Sequence, residues 1–473
     1  MISTIPQFKA FLGGTFYEGE QLPVLAPFDG HTLANACLAN EEMYEMALAK
    51  ALESAKPLQN LPAYKRYEIL MHIASRLKED REILSLLLAR EAAKPLKFAR
   101  AEVDRSIQTF IVAAEESKRL PKEYISLDWT AAGANREGII KYFPVGPVAG
   151  ISPFNFPLNL AVHKIAPAIA AGCPIVLKPA SSTPLSALFL AQIIAETDLP
   201  PGAVSILPMN RNFANRMVSD ERFAMLSFTG SPEVGWKMKA GAGKKKTTLE
   251  LGGNAAVIIS EHTDVESHID KCMNGAYAYQ GQVCIHAQRF FVHQKHEKRF
   301  LELFTAAAEK LQIGAPEDER TDFSCMIDEA NAERVDAWVN EAELAGASVL
   351  LKPRKKGNMI YPTLITGARK NMKVYDEEVF GPVITVNTFT DFSDALERVN
   401  DSRFGLQAGL FSDKQTEIDA AFNGLHLGGL VLNDTPILRL DHMPYGGVKD
   451  SGLGREGVKY TIADMMEPRI LLK

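Results

Sequence analysis

Apolar and polar positions change rhythm along the chain, and each change predicts different elements. Residues 1–40 hold short apolar runs between the turn signals Gly13-Gly14 and Pro27-Phe28-Asp29-Gly30, which predicts small strands at the edge of a larger domain. From Glu41 to Leu120 there is no glycine, and Ile69, Ile73, Leu77, Leu84 and Leu87 fall near helical spacing with charges between them. Long helices follow, divided by Pro57, Pro62 and Pro95. The pattern stops near Pro121. Ile139 to Pro144 reads as a strand and Ile125 to Trp129 as its partner, a hairpin suited to an oligomerisation arm.

From Gly146 short apolar strands alternate with helices: Val148–Ile151, Pro174–Lys178, Val204–Leu207 and Met225–Phe228. The helix after Lys178 has Ser182 or Thr183 at its N-cap and Pro184 in its first turn. After Glu250 the rhythm repeats, with a strand at Ala255–Ile259, a helix from Asp264 to Tyr279 leading to Cys284, a strand at Arg289–Val292 and a helix at Phe300–Leu311. The tail, Pro468 to Leu472, reads as a strand. Such alternation predicts an α/β protein with a doubly wound parallel sheet, ligands lying at the carboxyl ends of the strands. Two successive α/β regions imply a cofactor domain and a catalytic domain with a cleft between them.

At 473 residues the chain is long enough for two or three domains, and 46% hydrophobic with 23% charged residues suits a soluble globular protein. A net charge of −6 offers no general attraction to nucleic acid or anionic lipid, so neither is an expected partner. The basic runs Lys244-Lys245-Lys246 and Arg354-Lys355-Lys356 read as solvated loops. Five dispersed cysteines (Cys37, Cys173, Cys272, Cys284, Cys325) argue for a reducing compartment, and against a disulfide framework or a cysteine metal site. No secretory signal is evident. The most apolar stretch, Leu158 to Ala171, is too short and too interrupted by His163, Lys164 and Pro167 to span a bilayer. A cytoplasmic protein without a metal is expected.

Several residues are candidates for chemistry. Cys284, behind Gln280-Gly281-Gln282, is either a buried filler or a nucleophile in an exposed turn, where access and a lowered pKa serve it. Glu250 stands between Leu249 and Leu251 before Gly252-Gly253; it is a strand-end surface residue or a partly desolvated base. Asn155, within Pro153-Phe154-Asn155-Phe156-Pro157, ties a turn or donates to an oxyanion. Phe228-Thr229-Gly230-Ser231 opens a helix where a phosphate can rest, although the spacing is not GxGxxG. Lys178 serves a ribose or phosphate, or is a solvated strand end.

Together with Lys178-Pro179-Ala180, Glu250-Leu251-Gly252-Gly253, Glu377-Glu378-Val379-Phe380-Gly381-Pro382 and Pro444-Tyr445-Gly446-Gly447-Val448-Lys449, these motifs follow one another in an order that resembles the NAD(P)-dependent aldehyde dehydrogenase superfamily over essentially the whole chain. The resemblance implies that Cys284 attacks the aldehyde to give a thiohemiacetal, and that Asn155 and the Cys284 backbone N–H stabilise the oxyanion. Hydride passes to the nicotinamide, and Glu250 activates water to release the acid from the thioester. It further implies that Lys178 and Glu378 hold the cofactor riboses and Ser231 meets the pyrophosphate. Phe380 packs near the nicotinamide, while Pro153 and Gly230 shape the cofactor surface. The implied domains are a Rossmann-like cofactor domain (1–121 and 144–249), a catalytic domain (250–445), and an oligomerisation arm and tail (122–143 and 458–473) of a homodimer or homotetramer.

Ser181 stands where many NAD-preferring members carry Glu, so NADP is expected to be tolerated or preferred over NAD. Arg105, Arg439 and His442 fall where the family builds its substrate tunnel and entrance. Inward-facing arginines favour a small anionic aldehyde, a semialdehyde or a phospho- or sulfo-aldehyde, with a lactaldehyde-like hydroxyaldehyde as another candidate; otherwise they form surface salt bridges. Two alternatives to hydrolytic oxidation are a CoA-acylating semialdehyde dehydrogenase, whose members commonly lack the Glu at position 250, and a non-catalytic structural use of the fold.

Overall fold

The structure, a computed structural model, describes residues 6–351 and 355–473. Two large sheets carry it. Across the first run Gly452–Leu453, Lys246–Glu250, Met225–Thr229, Val148–Ile151, Ile175–Lys178, Val204–Ile206, Ala10–Leu12 and Thr15–Tyr17. The strands from Lys246–Glu250 to Val204–Ile206 are parallel, and antiparallel strands close both edges. Every residue of Val148–Ile151 and Ile175–Lys178 is buried, as a parallel sheet covered by helices on both faces requires.

The second sheet runs Ser348–Leu351, Thr363–Thr366, Val383–Phe389, Ala287–His293, Ala255–Ile259, Gln407–Phe411, Gly429–Leu432. Its strands are parallel except at the Ser348–Leu351 edge. A third, antiparallel sheet joins Lys122–Ser126, Glu137–Pro144 and Met466–Leu472. It contains a hairpin and the tail strand expected from sequence, but the first strand of the hairpin is Lys122–Ser126 rather than Ile125–Trp129. Within 458–473, however, Val458–Asp464 is a helix packed against Asn159–Ala171. Among the described residues no helix is long and apolar enough to cross a membrane. Asn159–Ala171 is instead buried along its whole length, between the first sheet and the helices Leu96–Ser117 and Val458–Asp464.

Four helices fill the glycine-free region: Glu41–Asn60, Ala63–Glu79, Arg81–Ala92 and Leu96–Ser117. Pro62 and Pro95 cap two of them. Pro57 does not divide the first; it sits in the final turn, where the lost N–H and the ring clash concern a single carbonyl. Neither Ser182 nor Thr183 caps the helix Leu185–Ala195, whose cap is Pro184. The buried Glu91 carboxylate reaches across from another helix and accepts from the Leu185 and Ser186 N–H groups at 2.8 and 3.0 Å. The helix expected from Asp264 to Tyr279 covers only Ile269–Tyr277, since Tyr279 and Gln280 turn left-handed (φ 48° and 55°). Lys246 is no loop residue: it begins a strand and donates to the carbonyls of Asp464 and Met466, both at 2.9 Å. Lys355–Lys356 form a short exposed strand, and Arg354 lies outside the described residues.

Candidate active site

The strand order of the first sheet reverses between Val148–Ile151 and Met225–Thr229, the position at which open α/β sheets bind ligands. The loop carrying Asn155 and the turn Gly230-Ser231 leave those two strands. The second sheet contributes differently from expectation: Gly252-Gly253, Cys284 and Glu378–Phe380 all precede their strands, so they lie at its amino edge. Carboxyl ends of one sheet thus meet amino ends of the other around a cavity of about 670 Å³.

Cys284, Glu250, Asn155, Pro153, Gly230, Ser231, Glu378, Phe380, Arg105 and Arg439 all line that cavity. Lys178, Ser181 and His442 do not. Lys178 is buried at its strand end, where its Nζ donates to the Pro179 carbonyl at 3.0 Å and burial brings its pKa down to about 8. Ser181 occupies an exposed turn just beyond. His442, expected on a loop at the substrate entrance, is exposed just after Asp441; the same loop turns Asp441 inward, held by Arg105 (Nη2–Oδ1 2.7 Å) and His163 (Nε2–Oδ1 2.8 Å).

Cys284 is half-buried, with Sγ 3.1 Å from the Tyr445 hydroxyl. Burial pushes its thiol up to about 11, against the Tyr445 hydrogen bond and the Arg439 charge. Glu250 ends its strand fully enclosed, and neither carboxylate oxygen has a hydrogen-bond partner among the described residues. Burial, followed by the nearby Glu456 charge, raises its carboxyl well above the ordinary value, while Arg439 and Lys164 oppose the rise. The carboxyl is thus desolvated rather than at the surface of its strand end.

A layer of charge lies behind it. Glu456 accepts from Arg439 Nη2 at 2.9 Å and from Lys164 Nζ at 3.4 Å, and Lys164 also donates to Thr229 Oγ1 at 2.8 Å. Burial favours the neutral form of Glu456, but Lys164 and Arg439 outweigh it and hold the carboxyl below the usual range. Lys164 and Glu456 were not identified from sequence. The signal available was a lysine inside the most apolar stretch of the chain, which only a buried ion pair accommodates.

Asn155 is fixed from both ends. Its Nδ2 donates to the Gln282 carbonyl at 3.0 Å, leaving a second amide proton, and its own carbonyl accepts from Lys94 Nζ at 2.7 Å. Lys94, entirely buried, forms an ion pair with Glu102 and lies 3.8 Å over the Phe156 ring. Glu102 in turn accepts from the Leu158 and Asn159 N–H groups at 3.0 and 3.1 Å.

The far end of the cavity fits a dinucleotide. The helix Pro232–Gly241 points its N-terminus at it through Gly230 and Ser231, a setting suited to phosphate. Glu378 accepts from the Gly253 N–H at 3.0 Å, and burial raises its carboxyl to about 8. A Cβ on Gly252 would come 2.1 Å from Glu378 Oε2, so a larger residue would push the carboxylate from this place. Phe380, at φ 46°, meets the Phe154 ring edge-on at 5.9 Å, giving the cavity an aromatic wall.

The model of the Aldehyde dehydrogenase family matches residues 16–471. The chain belongs to that family. This aldehyde dehydrogenase is 37% identical over 473 residues to the 3-sulfolactaldehyde dehydrogenase of Priestia aryabhattai, covering 100% of this chain and 99% of that one. It superposes on aldehyde dehydrogenase 21 of Physcomitrella patens, solved with its reaction product succinate, with a TM-score of 0.98 at 42% identity, covering 99% of this chain and 98% of the other. For glyceraldehyde-3-phosphate dehydrogenase of Methanocaldococcus jannaschii, solved with NADP, the TM-score is 0.92 at 35% identity, with 97% and 100% covered. The enzyme is accordingly an NAD(P)-dependent aldehyde dehydrogenase of mixed α/β fold.

Proposed function

We propose that this aldehyde dehydrogenase oxidises a small aldehyde bearing an anionic group, a semialdehyde or a sulfo- or phospho-aldehyde, to its acid. The observation that carries this is a guanidinium in the wall of the cavity that holds Cys284. Arg105 spends Nε and Nη2 on Asp441 and keeps Nη1 without a hydrogen-bond partner among the described residues, with about a quarter of its side chain (28%) exposed. Arg439 is enclosed by Glu456 and Tyr445 and adds a charge rather than a contact. The names of the sulfolactaldehyde relative and the succinate complex agree with this class.

In this reading the Cys284 sulfur bonds the aldehyde carbon, and the free amide proton of Asn155 meets the oxygen as it gains charge. NAD(P), when bound, would supply the hydride acceptor. Glu250 then takes a proton from water attacking the thioester, and the acid leaves as the C–S bond breaks. A buried carboxylate beside the cysteine, without a hydrogen-bond partner among the described residues, supports hydrolysis over transfer to CoA. Ser231 and the helix behind it would hold the pyrophosphate, Glu378 and Lys178 the riboses, and Phe380, with Pro153 and Gly230, would wall the cofactor. The segments 1–121 with 144–249 form the cofactor domain, and 250–445 the catalytic domain. The sheet containing 122–143 and the tail exposes Tyr124, Ile470 and Leu471 and serves a homodimer or homotetramer. Five free cysteines suit a cytoplasmic setting.

The test is kcat/KM for Arg105→Leu across anionic and neutral aldehydes of similar size. A loss of about 10-fold or more confined to anionic members is expected for one charge-assisted contact. An equal loss across the panel would overturn the assignment.

A further inference from the structure

Tyr445 lies against the reacting sulfur on a rigid mount. Its N–H donates to the Glu456 carbonyl at 2.9 Å, and its own carbonyl accepts from the Glu456 N–H at 2.6 Å. The Arg439 guanidinium covers one face of the ring, 3.7 Å from its centre. The ring is buried, and its hydroxyl has one partner among the described residues, Cys284 Sγ.

We infer that Tyr445 is a further catalytic residue, whose hydroxyl donates a hydrogen bond to the Cys284 thiolate and so makes ionisation of a half-buried thiol attainable. The inference rests on Cys284 being the nucleophile. While the thiol is protonated, either group can donate; once the sulfur is ionised, only the hydroxyl carries a proton. Burial and the neighbouring Cys284 hold the phenol well above its ordinary pKa, so it keeps that proton. Nothing is transferred: the tyrosine proton stays on oxygen and shares its charge with the sulfur.

The groups around the sulfur make this donor decisive. Glu250 on one strand end and Glu378 on the opposite loop both disfavour a thiolate. Arg439 favours it from behind the tyrosine ring, and Arg105 stands further along the cavity wall. Tyr445 is the group in hydrogen-bond contact with Sγ. A phenylalanine would keep the ring, the packing and the Arg439 stacking, and remove only that bond.

The experiment labels the apo-enzyme with iodoacetamide across a pH series and quantifies the Cys284 peptide by mass spectrometry. The four other cysteines are buried, and Cys284→Ala supplies the blank. Labelling follows the thiolate fraction, so it reads the sulfur without substrate, cofactor or turnover and is separable from the substrate assignment. Tyr445→Phe is expected to move the profile to higher pH and to slow labelling about 10-fold at any pH below the midpoint, the size of one hydrogen bond to a charged group. Replacing Tyr445 with a ring-fluorinated tyrosine, a stronger donor of nearly the same shape, is expected to move the profile to lower pH. This second arm decides the matter should the phenylalanine variant not fold. Profiles that coincide with wild type would overturn the role.

Discussion

Replacing Lys94 by Met tests whether the oxyanion amide is placed by a buried ion pair. The variant keeps an unbranched apolar stem against Phe156 and Tyr279 but removes the donor to the Asn155 carbonyl and the counter-charge of Glu102, in a pair with no solvent exposure on either side. Stranding one member of such a pair costs about 3–5 kcal/mol. Glu102 retains the Leu158 and Asn159 N–H groups, which places the expected loss at the lower end, about 3 kcal/mol. Removing an oxyanion donor outright costs about 10²–10³ in kcat, so an amide merely loosened should lose less, about 10–100-fold. Adding Glu102→Gln removes the stranded charge and leaves an oxygen for the same two N–H groups. Stability should return to within about 1–2 kcal/mol of wild type, yet kcat should stay low because Asn155 still lacks its anchor. Urea-unfolding midpoints and kcat at saturating aldehyde and cofactor report the two quantities separately. A double variant that regains both would refute the reasoning, since Lys94 would then act on stability alone. So would a single variant unfolding within about 1 kcal/mol of wild type.

Other residues make shorter claims. Glu250→Gln should allow one burst of reduced cofactor per site and then slow turnover at least about 100-fold, seen by stopped-flow absorbance. In the wild type Glu250 works as a base only when ionised, and its carboxyl is raised by burial and by Glu456, so the acidic limb of kcat should lie above the ordinary carboxylate range and disappear in the variant. Gly253→Ala sets a Cβ 2.4 Å from the Cys284 carbonyl, backbone that cannot yield; kcat should collapse while a cofactor-binding titration changes little. Ser181→Glu, in the exposed turn past Lys178, should weaken NADP against NAD by about 10-fold or more in Kd, the mark of an added like charge.

Much of this molecule was legible in its sequence because the informative patterns were local. The alternating strands, the breaks at Pro62 and Pro95, the hairpin with its tail strand and the ordered motifs around Cys284 each depend on neighbours along the chain. What escaped depended on partners far away. Glu91, Lys94 and Glu102 carry no local signal of burial, yet they are buried, because each meets backbone groups of a segment some distance later in the chain. Ser182 and Thr183 carried a proper cap signal and lost to Glu91. His442 and Asp441 are adjacent and equally polar; only the position of His163 and Arg105 decides which turns inward. Tyr445 stood in a recognised motif, but its hydroxyl gained meaning only when its distance from sulfur was known.

The segment from Arg439 to Glu456 leaves the second sheet and returns to the first, where Gly452–Leu453 pairs with the strand of Glu250. It brings Arg439, Tyr445 and Glu456 with it. A ribosome therefore completes the nucleophile and the base long before it makes the groups that surround them. Nascent chains and products of premature termination hold the thiol and the carboxylate without the surroundings that set their ionisation. Domains fold from the N-terminus as they emerge, so the parallel strands of both sheets can assemble in a chain that has no working centre.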